Sequence, residues 1–165
     1  MYSQKLNPQM VTVVLRPTNI YGEYDKYDFA KSHMFAATLR KVVERHNPIE
    51  VWGTGDDVRD LIYIDDMIDA IILAVQKIDT YHPLNIGYGK GYSVKEILNM
   101  MLEIDGYQSA NIIFNTAKPT MGAIKLVDIT RAEKELGFRP KTSIEEGIAK
   151  TIRWYKENMH VTTKR

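Results

Sequence analysis

The chain contains no cysteine, so disulfides, thiolate nucleophiles and cysteine-ligated zinc are excluded. Only four histidines are present, and no two of them are four residues apart, the spacing that would place two imidazoles on one helix face. We therefore expect no metal centre. The lack of disulfide chemistry favours a reducing compartment, and we expect a cytoplasmic protein.

Neither sign of charge is in large excess, because 22 basic and 21 acidic residues leave a net charge of +1. This balance gives no electrostatic reason to expect nucleic acid or an anionic membrane as a partner. The longest apolar run, AIILAV at residues 70–75, is far shorter than the roughly 20 residues of a membrane span. The first residues lack the basic and then apolar pattern of a signal peptide.

What is present is an ordinary α/β pattern, with 165 residues of which 44% are hydrophobic. Apolar runs predict short strands at residues 11–15, 49–52, 59–64, 83–86 and 111–114. Helical spacing and start signals predict helices over 32–45, 65–77, 93–104, 130–136 and 143–158. Three of these starts, at Ser93, Thr130 and Ser143, have the sequence of a capping box, and Gly106 is expected to end the third helix. The polar and aromatic residues 23–31 predict a loop. Alternating elements of this kind favour an α/β fold with a largely parallel sheet. The strands are few and short, so the sheet looks incomplete by itself.

The segment RPTNIYG, residues 16–22, follows the first apolar strand directly. Ligands of open α/β sheets bind beyond the carboxyl ends of strands, and Thr18 and Asn19 offer donors and acceptors there. A turn whose polar side chains satisfy their own backbone would give the same pattern. The residues alone leave both interpretations open.

Two further segments combine groups that suit an anionic ligand. His33 lies at a predicted helix start, a favourable place for anions, although a histidine there can also simply pack. Trp52 is followed by Gly-Thr-Gly and then by Arg59. An aromatic platform, a flexible turn and a guanidinium together fit a nucleoside diphosphate, whereas an exposed turn with an Arg–Asp pair is the plainer interpretation.

Three other features favour structural roles. Asp65 and Asp66 are adjacent carboxylates at a helix start, where we expect caps rather than a metal site. The glycines of GYGKG at 87–91 match neither nucleotide-loop pattern and predict only a turn. Lys118 and Lys125, on a late loop, could reach a phosphate, but isolated lysines are usually solvated.

Five ordered segments together resemble the C-terminal half of the extended short-chain dehydrogenase/reductase family, the NAD-dependent epimerases and dehydratases of nucleotide sugars. They are LRPTNIYG, SHMFAATLRK, VWGTGDDVRDLIYIDDM, LNIGYGKGYSVKEI and IKLVDITRAEKELGFRPKTSIEEGI. Within that family they are most similar to the GDP-L-fucose synthase branch, whose members are epimerase–reductases. The resemblance implies the C-terminal part of a Rossmann-type fold with a small substrate-binding α/β subdomain.

The resemblance also implies roles for individual residues. The strand-end segment that lies against the nicotinamide of NAD or NADP is matched by Pro17, Thr18, Asn19 and Ile20. His33 matches the histidine taken as general acid in epimerisation, next to the cofactor. The positions that hold the nucleotide sugar are matched by Asn19, Lys41, Trp52, Arg59 and Lys125, with Arg59 on the diphosphate.

The sequence departs from the family at two places. Thr120 stands where the synthases carry a substrate-contacting aspartate, so the resemblance implies a nucleoside-diphosphate sugar without fixing which one. The family also carries a Gly-rich dinucleotide loop and a catalytic Tyr-x-x-x-Lys pair ahead of the first strand seen here, and neither precedes residue 11. Tyr2 and Lys5 have the wrong spacing for that pair.

These observations together predict one substrate-binding half over residues 1–159, a tail at 160–165, and no dinucleotide-binding half. We expect such a chain to be inactive alone and to require the missing Rossmann half as a partner; a homodimer stays open. The alternative is a stand-alone nucleotide-sugar-binding or interaction module without catalysis.

Overall fold

The structure is a computed structural model that describes residues 10–120 and 122–162, with only the backbone of 160–162. The strands are β1 (Val13–Pro17), β2 (Asn19–Tyr21), β3 (Ile49–Trp52), β4 (Val58–Tyr63), β5 (His82–Ile86), β6 (Gly91–Ser93), β7 (Ile112–Asn115) and β8 (Ile124–Lys125). The helices are α1 (Met34–Val43), α2 (Ile64–Lys77), α3 (Val94–Asp105), α4 (Thr130–Leu136) and α5 (Ile144–Thr162). Tyr2 and Lys5 lie outside the described residues, as do residues 163–165 of the predicted tail, whereas residues 160–162 continue α5.

The strands form three small sheets rather than one. β1 pairs with β5, β3 pairs with β7, and β4 pairs with β2, β6 and β8. Every pairing is parallel except that of β4 with β6. The prediction of a largely parallel α/β fold is therefore confirmed, although the pairing is divided among short sheets.

The chain changes sheets at Thr18. Pro17 is the last residue of β1 in register with β5, and the Thr18 amide continues that pairing by donating to the Ile86 carbonyl at 2.9 Å. Asn19 then pairs with Leu61 of β4. The polar segment that follows the first strand therefore lies where two sheets diverge, a position at which α/β folds commonly leave a crevice.

Two hydrophobic clusters hold the elements together. In the larger one, α1, α3 and α5 pack against β3 and β4, with fully buried side chains such as Leu39, Ile97 and Ile148. In the smaller one, α2 and α4 pack around β5, with Leu84 and Leu136 at its centre. In the described part of the chain, no helix combines the length and apolar character needed to cross a membrane.

Several predicted boundaries are wrong by a few residues. The first helix begins after His33, which is its N-cap, and not after Ser32. The second begins after Tyr63, so Asp65 and Asp66 lie in its first turn and do not cap it. The fourth begins after Ile129, which makes no side-chain cap, so the capping box predicted at Thr130 does not form. In its place the Asp128 carboxylate accepts the Thr130 amide.

The capping box predicted at Ser93 is confirmed. The Ser93 hydroxyl accepts the Glu96 amide at 3.2 Å, and the Glu96 carboxylate accepts the Ser93 amide at 2.7 Å. At the other end, Gly106 adopts the left-handed conformation, with φ of 72°, that ends a helix.

The Ser93→Ala change should lower the free energy of unfolding by about 1 kcal/mol, because one amide of α3 loses its acceptor. Urea denaturation followed by circular dichroism measures this difference. The Ser143→Ala change at the start of α5, where the hydroxyl likewise accepts an amide three residues later, is a matched comparison. An unchanged unfolding midpoint for Ser93→Ala would contradict a stabilising role for the box.

Candidate functional site

A cavity of about 270 Å³ opens at the end of β1, where the two sheets diverge. Residues 17–19 form one wall and residues 125–127 form the other. Among the residues of these walls are four that the sequence singled out separately: Pro17, Thr18, Asn19 and Lys125. The fold therefore brings together polar residues that are more than a hundred positions apart in the chain.

The side chains of Thr18 and Asn19 are held by the neighbouring strand. The Thr18 hydroxyl donates to the Asp60 carbonyl at 2.5 Å, and the Asn19 carboxamide nitrogen donates to the same oxygen at 2.9 Å. These bonds join β4, about 40 residues away, rather than the local backbone. The interpretation of a self-satisfied turn is therefore wrong, and the two side chains have a fixed orientation beside the cavity.

Arg59, on β4, pairs in register with Lys125 of β8, which lines this cavity. Its guanidinium donates to the carbonyls of Val58 and Gly122 at 2.8 and 2.9 Å and to the Asp57 carboxylate at 2.8 Å. Only 10% of the side chain is exposed. Two basic side chains thus lie side by side, one of them rigidly held, which is an arrangement that suits a diphosphate.

Trp52, at the end of β3, is an open aromatic platform with 53% of its surface exposed. The Lys118 ammonium lies 5.4 Å from the centre of its ring. A methyl group placed on Gly53 would come within 2.3 Å of the Thr120 side chain, so the turn after Trp52 packs directly on Thr120. Thr120, which the resemblance places where the synthases carry an aspartate, therefore adjoins this platform.

Lys41 has a structural contact in place of the predicted ligand contact. Its ammonium donates to the Glu50 carbonyl at 2.7 Å and thereby ties α1 to β3. Burial lowers the pKa of this amine, and the nearby Glu50 carboxylate partly offsets that effect. Its half-buried amine is thus bound to the protein's own backbone, and its role toward a ligand stays a prediction.

His33 is exposed at the start of α1, and its ring makes no cap hydrogen bond. Asp25, in the loop before this helix, lies close enough for electrostatic interaction. Burial raises the pKa of the Asp25 carboxyl, while the Lys26 amide and the charge of His33 lower it. The imidazole thus has a free approach and a carboxyl neighbour, which are compatible with proton transfer.

Asp60 is the residue that the sequence analysis missed. Its side chain is fully buried, and its carboxylate accepts the amides of Tyr88 and Gly89 at 2.9 and 3.1 Å. Burial raises the pKa of this carboxyl, and the two amides lower it. The glycine-rich segment 87–91 is a turn, as predicted, but its backbone N–H groups hold the protein's own anion. An aspartate inside the apolar strand VRDLIY was the available signal.

Asp65 and Asp66 do not form a metal site. The Asp66 carboxylate is buried and accepts the amides of Lys141 and Thr142 at 2.9 and 3.1 Å. Across residues 10–120 and 122–162, no cluster of three or more metal-ligating side chains occurs.

One tyrosine and lysine in the described chain do have the catalytic spacing, namely Tyr27 and Lys31. Tyr27 is 2% exposed, and its hydroxyl donates to the Gly22 carbonyl at 3.1 Å. Burial raises the pKa of this phenol, which opposes proton exchange near neutral pH. Lys31 lies in a loop rather than one helical turn beyond the tyrosine. Tyr27 is therefore part of the core, and Lys31 is exposed on the loop.

Comparison with known proteins agrees with this geometry. The family model described as the NAD dependent epimerase/dehydratase family matches residues 2–87, more than half of the chain. A probable GDP-L-fucose synthase 1 from Oryza sativa subsp. japonica is 33% identical over 147 residues, which are 87% of this chain and 44% of that protein. The chain therefore spans less than half the length of this relative.

Two solved structures share the fold. The UDP-glucose 4-epimerase of Thermotoga maritima, crystallised with UDP-glucose, superposes with a TM-score of 0.81 at 30% identity, over 89% of this chain and 46% of that one. The UDP-glucuronic acid 4-epimerase of Bacillus cereus, in complex with UDP-glucuronic acid and NAD, gives 0.78 at 26% identity, over 88% and 45%. The Rossmann-type fold expected from the sequence is confirmed, and the chain belongs to the NAD dependent epimerase/dehydratase family.

Proposed function

We propose that this chain is the nucleotide-sugar-binding part of an NAD(P)-dependent epimerase/reductase similar to GDP-L-fucose synthase. The observation that carries this proposal is the pairing of Arg59 with Lys125 in register on adjacent strands, where Lys125 lines the cavity together with Thr18 and Asn19. Two adjacent cations suit the diphosphate, and fixed hydroxyl and amide groups suit the sugar. Trp52, which is exposed at the end of β3, would bind the base by stacking.

The proposal includes a role for His33 as the acid that assists epimerisation. Its support is the exposed ring at the start of α1 and the carboxyl of Asp25 nearby. An imidazole is the side chain best suited to give and take a proton near neutral pH. Lys41, bound to the Glu50 carbonyl, would support the shape of the pocket rather than contact the ligand.

The residues at the end of β1 fit one edge of a nicotinamide. Residues 17–20 form a short rigid segment beside a cavity of about 270 Å³, with the Thr18 and Asn19 side chains fixed by Asp60. When bound, the nicotinamide supplies hydride transfer. The chain's own contribution would be to place the sugar and to close one side of the cofactor pocket.

The partner that would complete the enzyme is a dinucleotide-binding half. The chain spans 44% of the rice relative and 46% of the Thermotoga epimerase. On α2, four apolar side chains at helical spacing are exposed by 43–77%: Ile68, Ile71, Ile72 and Val75. Such a stripe is typical of a helix that further protein covers. We propose that the Rossmann half covers it.

Isothermal titration calorimetry with GDP-mannose and UDP-glucose tests the binding function. We expect the chain to bind at least one of them, and the preferred base assigns the branch of the family. The absence of heat from both ligands at about 1 mM, equivalent to a binding free energy weaker than about −4 kcal/mol, would contradict the proposal. Tight binding without any further protein would favour the stand-alone module.

The isolated chain should show no turnover. No Gly-rich dinucleotide loop precedes β1 in this sequence, and the only tyrosine–lysine pair with catalytic spacing in the described residues has a buried hydroxyl. Steady-state oxidation of NADPH with GDP-4-keto-6-deoxymannose measures the rate, and we expect no difference from the buffer control. A protein-dependent rate that scales with concentration would contradict this expectation.

A further inference from the structure

Asp60 lies at the junction beneath both walls of the cavity. Its main-chain carbonyl accepts hydrogen bonds from the side chains of Thr18 and Asn19, which belong to the first wall. Its carboxylate accepts the amides of Tyr88 and Gly89, and it converges with the Val127 side chain of the second wall on the Cβ position of Gly87. One buried residue thus lies beside both walls of the opening.

The packing at Gly87 shows how closely these segments meet. A methyl group on Gly87 would lie 2.3 Å from the Thr18 side chain and 2.8 Å from both the Asp60 carboxylate and the Val127 side chain. The three side chains therefore converge on one point that has no free space. A change in the position of Asp60 cannot be absorbed locally and must displace one of the walls.

We propose that Asp60 is the positioning residue that holds the two walls of this cavity at the distance a ligand requires. Arg59 and Asp60 are consecutive in β4, so their side chains leave opposite faces of the strand. Arg59 can then face the diphosphate while Asp60 fixes Thr18, Asn19 and Val127 from below. This inference rests on the proposed function, in which the cavity is part of the nucleotide-sugar site.

Asp66 provides a matched control. It is buried to a similar degree, 2% exposed against 0%, and its carboxylate also accepts two backbone amides at similar distances. Its partners, Lys141 and Thr142, precede α5 and do not line the cavity. The Asp60→Asn and Asp66→Asn changes should therefore cost comparable stability, and only the first should affect ligand binding.

Calorimetry and nuclear magnetic resonance on the full chain distinguish a role of Asp60 in positioning the cavity walls from a role in stability alone. We expect Asp60→Asn to weaken binding of GDP-mannose or UDP-glucose about tenfold, because the uncharged amide holds the turn at 88–89 less firmly and the adjoining wall is displaced. The main-chain carbonyl that accepts the Thr18 and Asn19 side chains is kept in this variant, so a shift of the Asn19 side-chain signal reports displacement of the wall. We expect Asp66→Asn to change affinity less than twofold. The Asn19 side-chain amide signal should shift in Asp60→Asn without any ligand and stay in place in Asp66→Asn.

The ligand-free signal keeps this inference distinct from the proposed function. If the unaltered chain binds neither nucleotide sugar, the proposed function fails, and the Asn19 signal still decides the role of Asp60. An unmoved Asn19 signal in a folded Asp60→Asn variant, or equal losses of affinity in the two variants, would overturn the inference.

If the Asp60→Asn variant does not fold, hydrogen exchange in the unaltered chain tests whether Asp60 holds the turn at 88–89. The amides of Tyr88 and Gly89 should then exchange as slowly as the interior of β4, and exchange at the rate of open loops would overturn the inference.

Discussion

The Arg59→Met change should weaken binding of the nucleoside-diphosphate sugar at least a hundredfold. Methionine keeps much of the length of the side chain but removes the charge and the fork of donors that match a diphosphate, a loss of about 3 kcal/mol. Because three protein oxygens already orient the guanidinium, binding requires little reordering of this group. Calorimetry with the preferred nucleotide sugar measures the change.

Arg40→Met is the appropriate control for this experiment. Arg40 is similarly enclosed, with 18% of its side chain exposed, and it also donates to a carbonyl, that of Tyr27, and to a carboxylate, that of Glu44. It lies on α1, whereas Arg59 pairs with Lys125 of the second wall. We expect Arg40→Met to reduce stability and leave affinity within twofold. Equal affinities for the two variants would contradict the role given to Arg59.

The Gly147→Ala change should destabilise the fold by about 2 kcal/mol, although alanine ordinarily favours a helix. Gly147 lies within α5, and a methyl group there would be 2.0 Å from the Tyr21 hydroxyl. Tyr21 is the last residue of β2 and is 2% exposed, so its ring has no room to withdraw. Urea denaturation measures the loss.

A double-mutant cycle tests whether the clash with the Tyr21 hydroxyl causes the destabilisation by Gly147→Ala. In the Tyr21→Phe background the hydroxyl is absent, and the Gly147→Ala change should then cost about 1 kcal/mol less than it does in the unaltered chain. Additive effects of the two changes would show that the clash at Tyr21 is not the source of the destabilisation. Because Tyr21 ends the segment that follows Thr18 and Asn19, this contact also anchors the site to α5.

Much of the fold could be predicted from local patterns. The strand at 49–52 has the predicted bounds, and α3 has both the capping box at Ser93 and the terminating glycine at 106. These signals are local, since apolar alternation and the first turn of a helix depend on residues close in sequence. The loop at 23–31 follows from its polar composition for the same reason.

The missed strands depend on distant partners. β2, β6 and β8 have three, three and two residues, and each of them pairs with β4. None of them has a long enough apolar pattern to be recognised alone. The exposed sequence IK in β8 has no strand signature without Val58 and Arg59 beside it.

The candidate site divides in a similar way. Position after a strand singled out Thr18 and Asn19, and both line the cavity of about 270 Å³ because the ends of parallel strands meet at one crevice. Asp60 could not be assigned a role, since its partners at 18, 88, 89 and 127 come from separate segments. Lys41 resembles a ligand residue in sequence, yet in the fold its ammonium binds the Glu50 carbonyl, a contact that the sequence does not reveal.

Amide chemical-shift mapping of the full chain during titration with GDP-mannose and UDP-glucose shows which residues bind the nucleotide sugar. We predict that the largest changes fall on Thr18, Asn19, Arg59 and Lys125, with the Trp52 indole signal moving in parallel. Changes confined to the larger cavity of about 360 Å³ between α2 and residues 137–141, or no changes at saturating ligand, would contradict it.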